Sequence, residues 1–161
     1  MDMRDGPLDT RVKDIVRSKS TLTQSGGGVL TTEPFATVFE CIDRMTERDV
    51  GSIVVMNGEE IVGIFTERDY MQSIALEGRS SKETEVQEVM SSEVATVSPE
   101  KPLEECLHLM TKLRCRHLPV VDDNENLVGI VSIGDGVKEI METAKRETDR
   151  LRRYVTGEYS V

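Results

Sequence analysis

Two stretches of this chain repeat one pattern. Residues 62–69 read Val-Gly-Ile-Phe-Thr-Glu-Arg-Asp, and residues 128–135 read Val-Gly-Ile-Val-Ser-Ile-Gly-Asp. Each copy ends a strand with a glycine and an apolar pair, followed by a hydroxyl residue (Thr66 or Ser132) and, three residues later, an aspartate (Asp69 or Asp135). A hydroxyl and a carboxylate at a strand-to-helix junction can together hold a sugar-phosphate. The sequence therefore predicts a duplicated unit whose function lies between its copies.

The elements around the two stretches also repeat in order. In the first copy, apolar residues follow helical spacing after Thr37, and residues 52–56 form a β-branched strand. Asn57-Gly58 is a hairpin signal, residues 61–65 form the returning strand, and Thr66 caps the next helix. The elements predicted for the second copy are a strand at 94–97, a helix through 103–110, strands at 117–121 and 127–131, and a helix from Asp135.

Short segments precede each copy. The spacing predicts a helical turn at 12–16, a loop at 18–28, a strand at 29–31 and a second helical turn at 86–90. The helices of the two copies align at an offset of 65 residues and the hairpins at 66. We therefore place one inserted residue between Met110 and His117.

These patterns predict an α+β fold. It is a tandem of two strand-helix-strand-strand-helix repeats packed sheet to sheet with pseudo-twofold symmetry, plus an extended C-terminal helix. One unit of about 55 to 60 residues is too small to bury both faces of its sheet alone. The predicted divisions are a flexible N-terminus at 1–11, repeat 1 at 12–76, a linker at 77–85, repeat 2 at 86–142, and a helical extension and tail at 143–161.

Composition excludes some classes of partner. The formal net charge is −10, so the chain as a whole repels nucleic-acid backbones, and no run of 18 apolar residues could span a membrane. Any anionic ligand must therefore be held by local positive groups.

The cysteines and the first residues bear on the compartment. Cys41, Cys106 and Cys115 show no metal or disulfide spacing, so we interpret Cys41 and Cys106 as core residues, with redox sensing as the alternative. The first residues carry neither a signal-peptide core nor a transit pattern. We expect a cytoplasmic protein or, where a transit peptide is absent from this chain, one of the matrix of a mitochondrion or plastid, and not a secreted one.

The last helix has an apolar stripe that continues for about five turns. The stripe consists of Val137, Ile140, Met141, Ala144, Thr148, Leu151 and Val155. It either packs along its own repeat or contacts a second subunit, and its length favours the second interpretation. A membrane-surface helix is disfavoured because acids offset the basic residues of the other face.

The chain resembles the cystathionine-β-synthase (CBS) domain family, whose modules occur in pairs. The matching residues are Gly63–Asp69, Arg116–Asp122 and Gly129–Asp135, and the resemblance spans about residues 12–142. It is similar to small stand-alone CBS-pair proteins of plants and bacteria, some of which regulate thioredoxins in organelles. The resemblance implies a regulatory sensor, with roles in energy sensing or redox regulation. It also implies an adenosyl ligand (AMP, ADP, ATP or S-adenosylmethionine), bound in two clefts between the copies.

The resemblance assigns the residues of the first cleft. Asp135 would accept hydrogen bonds from the ribose hydroxyls and Ser132 would bind ribose or phosphate, beside the positive start of the last helix. Arg116 and His117 would face the phosphates. The residues expected around adenine are Val29, Leu30, Val50, Gly51 and Ser52, with Gly51 allowing close approach of the backbone.

The second cleft has counterparts in the other copy. Asp69 and Thr66 would bind ribose, and Arg68 would compensate for the lack of charge at Val50 and Gly51, the presumed equivalents of Arg116 and His117. The residues expected around adenine are Val94, Ala95, Thr96 and the segment 116–118. We expect the two sites to differ and the Asp135 cleft to bind phosphate more strongly.

Plainer interpretations exist for each residue. The two aspartates are also typical early-helix acids, and Thr66 a helix N-cap. His117 could be a core histidine and Arg116 a surface arginine. The chain has no nucleophile motif, phosphate-binding loop or dinucleotide fingerprint, so an enzyme is not expected. The alternative to a sensor is a structural module with degenerate clefts, assembled as a homodimer through its last helix.

Overall fold

The computed structural model describes residues 9–22 and 28–157, except for the side chains of 18–22. The mixed α+β class, the two repeats and the C-terminal helix are confirmed. The elements of repeat 1 are β1 (Thr31–Thr32), α2 (Val38–Arg48), β2 (Ser52–Asn57), β3 (Glu60–Thr66), α3 (Glu67–Asp69) and a π-helix (Tyr70–Ala75). Those of repeat 2 are α4 (Leu103–Leu113), β4 (His117–Val121), β5 (Leu127–Ser132) and α5 (Ile133–Thr156). Helix α1 (Val12–Leu22) and a 3-10 turn (Val86–Glu88) precede the respective repeats.

Helix α1 is longer than predicted. Residues 18–22, expected in a loop, continue the helix to Leu22 because neither glycine nor proline interrupts 12–22. The remainder of that expected loop, 23–27, lies outside the described residues. Helix α5 also begins earlier than predicted, at Ile133, because Ser132 rather than Asp135 is its N-cap.

The predicted strand at 94–97 is wrong, since only Val97 forms a bridge, parallel to Val120. In repeat 1 the Val54 N–H donates to the Leu30 carbonyl at 3.0 Å, and β1 pairs with β2 from Thr31. The residue that corresponds to Val54 in repeat 2 is Pro119, which has no N–H to donate. The strand predicted at 29–31 is likewise displaced, to Thr31–Thr32.

The register of the two hairpins corrects the position of the insertion. Val55 pairs with Gly63, and Val120 pairs with Gly129. The first strands of the hairpins are therefore 65 residues apart and the second strands 66. The extra residue lies in the turn at 122–126, where Glu125 has φ 62°, and not between Met110 and His117. It follows that the segment 114–117 of repeat 2 corresponds to 49–52 of repeat 1. The counterparts of Arg116 and His117 are therefore Gly51 and Ser52, and not Val50 and Gly51 as the sequence predicts.

Each core is completed by a segment that precedes the other repeat in the chain. Val12 and Ile15 of α1 are buried in the core of repeat 2, and Val86 and Val89 are buried in that of repeat 1. Matching backbone bonds hold the two segments: Leu103 N–H donates to Thr10 O at 2.8 Å, and Val38 N–H donates to Thr84 O at 2.9 Å. The core of each repeat is therefore completed by a segment that the division predicted from sequence assigns to the other repeat.

Two cysteines contribute to these cores. Cys41 and Cys106 are fully buried on α2 and α4, as expected of core residues. Burial raises the pKa of both thiols, that of Cys106 to about 11, so both remain protonated at neutral pH. A protonated thiol is a poor nucleophile, which supports the packing interpretation for these two side chains.

Helix α5 leaves most of its apolar stripe exposed. Gly136 packs on Leu107 of α4, and the Thr10 hydroxyl donates to Glu139 at 2.9 Å, so one face is covered. Met141 is 67% exposed and Val155 is 83% exposed. Within the described residues, no helix combines the length and apolar character needed to cross a bilayer.

Candidate functional site

The repeated hydroxyl-x-x-Asp forms a capping box in both copies. The Oδ2 atom of Asp69 accepts from the Thr66 N–H at 2.9 Å and from its hydroxyl at 3.1 Å, and the Thr66 oxygen accepts from the Asp69 N–H at 3.3 Å. For Ser132 and Asp135 the corresponding distances are 2.7, 3.0 and 3.2 Å. The motif therefore starts a helix in each repeat, as its plainer interpretation required.

One carboxylate oxygen of Asp69 is not used by this cap. All of its hydrogen bonds within residues 9–22 and 28–157 involve Oδ2 or the backbone, and Oδ1 has none. Asp69 is half-buried and lines a cavity. A carboxylate held in place through one oxygen presents the other as a pre-oriented acceptor for hydroxyl groups.

The cavity lies between the two repeats and has a volume of about 620 Å³. Repeat 1 contributes the end of β3 and the start of α3, and repeat 2 contributes the segments 93–95 and 113–118. Nine of the residues proposed from sequence line it: Gly51, Thr66, Arg68, Asp69, Val94, Ala95, Arg116, His117 and Leu118. Other lining residues were not proposed from sequence, and among the described ones Arg114 is the one cation, beside the acids Glu67 and Glu93.

The remaining proposed residues do not line this cavity. Leu30 belongs to the core of repeat 1, Ser52 is buried and pairs with Thr66, and Thr96 is exposed. The others of this set are Val29, Val50, Ser132 and Asp135. Asp135 and Ser132 keep their own junction at the start of α5.

The sequence predicts that Arg116 and His117 face the phosphates of the Asp135 cleft, and that the segment 116–118 also lies around adenine in the Asp69 cleft. In the structure both side chains line the Asp69 cavity. The backbone explains this placement. The Arg116 carbonyl accepts from the Ile133 N–H at 2.9 Å, so the main chain faces α5 while the side chain lines the cavity on the other side. His117 also pairs with Ser132 at the start of β4, close to both junctions.

Three arginines, drawn from both repeats, line the cavity. Arg68 comes from repeat 1, and Arg114 and Arg116 come from repeat 2. The Nη1 atom of Arg68 donates to the Arg114 carbonyl at 3.4 Å, across the boundary between the repeats. Three acids line the same wall: Glu67, Asp69 and Glu93. Guanidinium groups prefer carboxylates and phosphates as partners.

The signal that could have revealed Arg114 lies in the helix ends. The C-cap residue of α4 is Arg114, with φ 55°, and the C-cap residue of α2 is Asp49, with φ 52°. Aligning the two helices at their offset of 65 residues pairs these positions and shows opposite charges. At the strand offset of 66 residues, Arg116 and His117 are instead compared with Val50 and Gly51, one residue away from their true counterparts.

Steric contacts within the chain do not require a glycine at position 51. A Cβ atom there would lie 3.4 Å from His117 Nε2 and 3.6 Å from the Glu67 carboxyl, both ordinary contacts. The close backbone approach expected at Gly51 is therefore not a steric requirement of this chain alone. Cys115, also on the cavity wall, has its thiol pKa raised by desolvation.

These features define a tandem-repeat α+β module with a cavity between its repeats that is lined by both charged and apolar residues. The CBS domain family profile matches residues 12–76 and 86–142, and the chain belongs to that family.

Three comparisons show where the chain stands within the family. It is 38% identical over 155 residues to the CBS domain-containing protein CBSX3, mitochondrial, of Arabidopsis thaliana, covering 93% of this chain and 74% of that protein. A solved signal-transduction protein with CBS domains from Burkholderia ambifaria is 41% identical, with a TM-score of 0.75 over 83% of this chain and 95% of that one. A CBS domain protein from Pyrobaculum aerophilum complexed with AMP has a TM-score of 0.67 at 22% identity, over 83% and 99% of the two chains, which shows the fold alone.

Proposed function

We propose that this chain is a regulatory module that binds an adenosyl ligand in the Asp69 cavity and modulates a partner protein. One observation carries the proposal: a cavity of about 620 Å³ between the repeats, lined by three arginines and by Asp69, one of whose carboxylate oxygens the helix cap leaves unused. Ribose hydroxyls would donate to Asp69, and phosphates would accept from the arginines. Adenine would pack against Ile64, Val94 and Leu118, the apolar residues that line the same cavity.

The choice of cavity differs from the expectation from sequence. We expected the Asp135 cleft to be the stronger phosphate site, on the basis of Arg116 and His117. Because both side chains line the Asp69 cavity, we now propose that cavity as the phosphate site. An adenosyl ligand is supported by the AMP complex of the P. aerophilum protein, which has the same fold.

A thermal-shift series tests the proposal. AMP, ADP, ATP, S-adenosylmethionine and NADH are each added to the full chain at millimolar concentration. A ligand at 100 times its dissociation constant stabilises the folded state by about 2.7 kcal/mol, which we expect to raise Tm by about 5 to 10 °C. Calorimetric titration with the best ligand confirms stoichiometry. Absence of both a shift and a heat of binding with every ligand would leave the structural-module alternative.

We also propose that the regulatory form is a homodimer, in which the exposed stripe of α5 packs on the same helix of a second copy. A groove lined by Ile133, Val137 and Met141 runs along this face. The acids Glu139, Glu142 and Glu147 precede the cluster Arg150, Arg152 and Arg153. Antiparallel packing of two copies would set the acidic part of each helix against the basic part of the other.

Truncation after Asp149 is expected to lower the oligomeric mass measured by light scattering from that of a dimer to that of a monomer. The cut removes Leu151 and Val155 together with the arginine cluster. A matched full-length variant with Arg150, Arg152 and Arg153 all changed to Glu should also be monomeric, because it opposes like charges. An unchanged mass in both would mean that the stripe serves its own subunit.

The protein that the module regulates is proposed only by analogy. A thioredoxin in an organelle is the candidate, since the A. thaliana relative is named as mitochondrial. A pull-down from an organellar extract, with and without the best thermal-shift ligand, should enrich a partner in only one of the two conditions.

A further inference from the structure

Helices α2 and α4 end in the same backbone geometry. The left-handed residues Asp49 and Arg114 close them, and each donates its N–H to the last turn of its helix. The following residues, Val50 and Cys115, both donate a second bond to the helix at 3.0 Å, to Met45 and Met110. Asp49 and Arg114 therefore occupy equivalent places in the two repeats.

The next positions are related in the same way. The Gly51 carbonyl accepts from the Glu67 N–H at 3.1 Å, and the Arg116 carbonyl accepts from the Ile133 N–H at 2.9 Å. Gly51 and Arg116 are therefore counterparts. The third arginine, Arg68, is two residues beyond its N-cap Thr66, and the equivalent residue beyond Ser132 is Gly134.

All three arginines of the Asp69 cavity thus have uncharged or acidic counterparts. Arg68, Arg114 and Arg116 correspond to Gly134, Asp49 and Gly51. The pseudo-twofold relation preserves the carboxylate and hydroxyl of the capping box, whose distances agree within 0.2 Å between copies. The hydroxyl and carboxylate suited to a ribose are repeated, whereas the three arginines suited to a phosphate have no basic counterpart at the equivalent positions of the other repeat.

We propose that the Asp69 cavity selects adenosyl ligands by their phosphate groups, and that Arg114 is a specificity-determining residue of this selection. Asp49, at the equivalent place, makes the Asp135 cleft disfavour phosphate. This inference rests on the proposed function, because it assigns a ligand class to the same cavity.

Guanidinium geometry rather than net charge produces the selection. Glu67, Asp69 and Glu93 balance the three arginines of the wall, and the whole chain carries a net charge of −10. A phosphate gains from the planar, two-pronged donor set of an arginine, which a carboxylate-lined wall cannot supply. The bond between Arg68 and the Arg114 carbonyl is long, at 3.4 Å, so Arg68 can exchange it for a phosphate oxygen at small cost.

The test exchanges the residues found at two equivalent backbone positions, each of which is already left-handed in its own repeat. Arg114→Asp places in the left-handed position the residue found at Asp49, and Asp49→Arg makes the reciprocal change. Both full-length variants and the wild type are titrated calorimetrically with adenosine, AMP, ATP and S-adenosylmethionine, and thermal unfolding without ligand checks the fold. Lys112→Asp, on the last turn of α4 outside the cavity wall, is the charge-matched control.

We expect the wild type to bind ATP and AMP at least about tenfold more tightly than adenosine. Arg114→Asp should weaken ATP binding by about tenfold or more and leave adenosine within about twofold, since the loss of one charge-assisted contact has that size. Asp49→Arg should add a second class of phosphate-dependent sites, and Lys112→Asp should match the wild type. Equal wild-type affinity for ATP and adenosine, or equal losses of both in Arg114→Asp, would overturn the selection and leave the proposed function intact. Binding of neither ligand to the wild type would overturn both.

Discussion

Asp69→Asn is expected to weaken binding of the adenosyl ligand about 10- to 100-fold with almost no change in the free energy of unfolding. The amide oxygen of asparagine can replace Oδ2 in the capping box and accept from the Thr66 N–H and hydroxyl. The amide nitrogen then stands where Oδ1 faces the cavity, and it cannot accept a hydrogen bond from a ribose hydroxyl. Calorimetric titration measures the affinity, and urea unfolding measures the stability.

Asp69→Ala is the companion variant, because it removes both roles. We expect the same loss of affinity together with a loss of about 1 kcal/mol of stability from the broken cap. The corresponding changes at Asp135 should cost similar stability, since that capping box has the same contacts. If Asp69→Ala abolishes one class of sites and Asp135→Ala the other, two clefts bind ligand. Full retention of affinity in Asp69→Asn would show that the aspartate serves only as a cap.

Gly129→Ala is expected to lower the free energy of unfolding by about 1 to 3 kcal/mol. A Cβ atom at Gly129 would lie 2.5 and 2.9 Å from the two γ-carbons of Val16, which belongs to α1. A valine side chain is stiff at its first torsion and cannot turn away. The helix itself would have to shift from β5, and the core of repeat 2 would lose part of the packing of Val12 and Ile15.

Gly63→Ala is the matched variant in the other repeat. Its Cβ would meet the sulfur and outer carbons of Met90, at distances down to 2.3 Å. Methionine is unbranched and flexible, so we expect a smaller loss than at Gly129. Val16→Ala should rescue Gly129→Ala, giving a double variant that is more stable than the sum of the two single changes predicts. If Gly129→Ala lowers the free energy of unfolding equally in the wild type and in the Val16→Ala variant, then α1 does not pack on the second repeat.

The local structure at the repeated motif could be predicted from sequence because each part depends on near neighbours. Thr66 and Asp69 are three residues apart, and one capping box satisfies both in each repeat. The hairpin signalled by Asn57-Gly58 also formed, with Gly58 at φ 64°, although Asn57 itself ends β2 and pairs with Glu60. The absence of the strand expected at 94–97 could not be predicted from those residues, because it is Pro119, on another strand, that lacks the N–H such a strand would need.

The assignment of residues to clefts depended on tertiary structure. One extra residue in the turn at 122–126 changes which residues of the two repeats correspond, and apolar periodicity does not reveal in which loop it lies. The side chain of Arg116 could in principle face either cleft. Its carbonyl bond to Ile133 orients the backbone and so directs the side chain to the Asp69 cavity.

The sequence by itself determined the duplication, the α+β class and the two helix-starting carboxylates, because these follow from short-range periodicity and capping chemistry. Only the tertiary structure decided that α1 closes repeat 2, that 86–90 closes repeat 1, and that three arginines meet at Asp69. The physical reason is that these contacts join residues far apart in the chain. They depend on the register of the hairpins and on shape matches such as Val16 against Gly129, which no local pattern encodes.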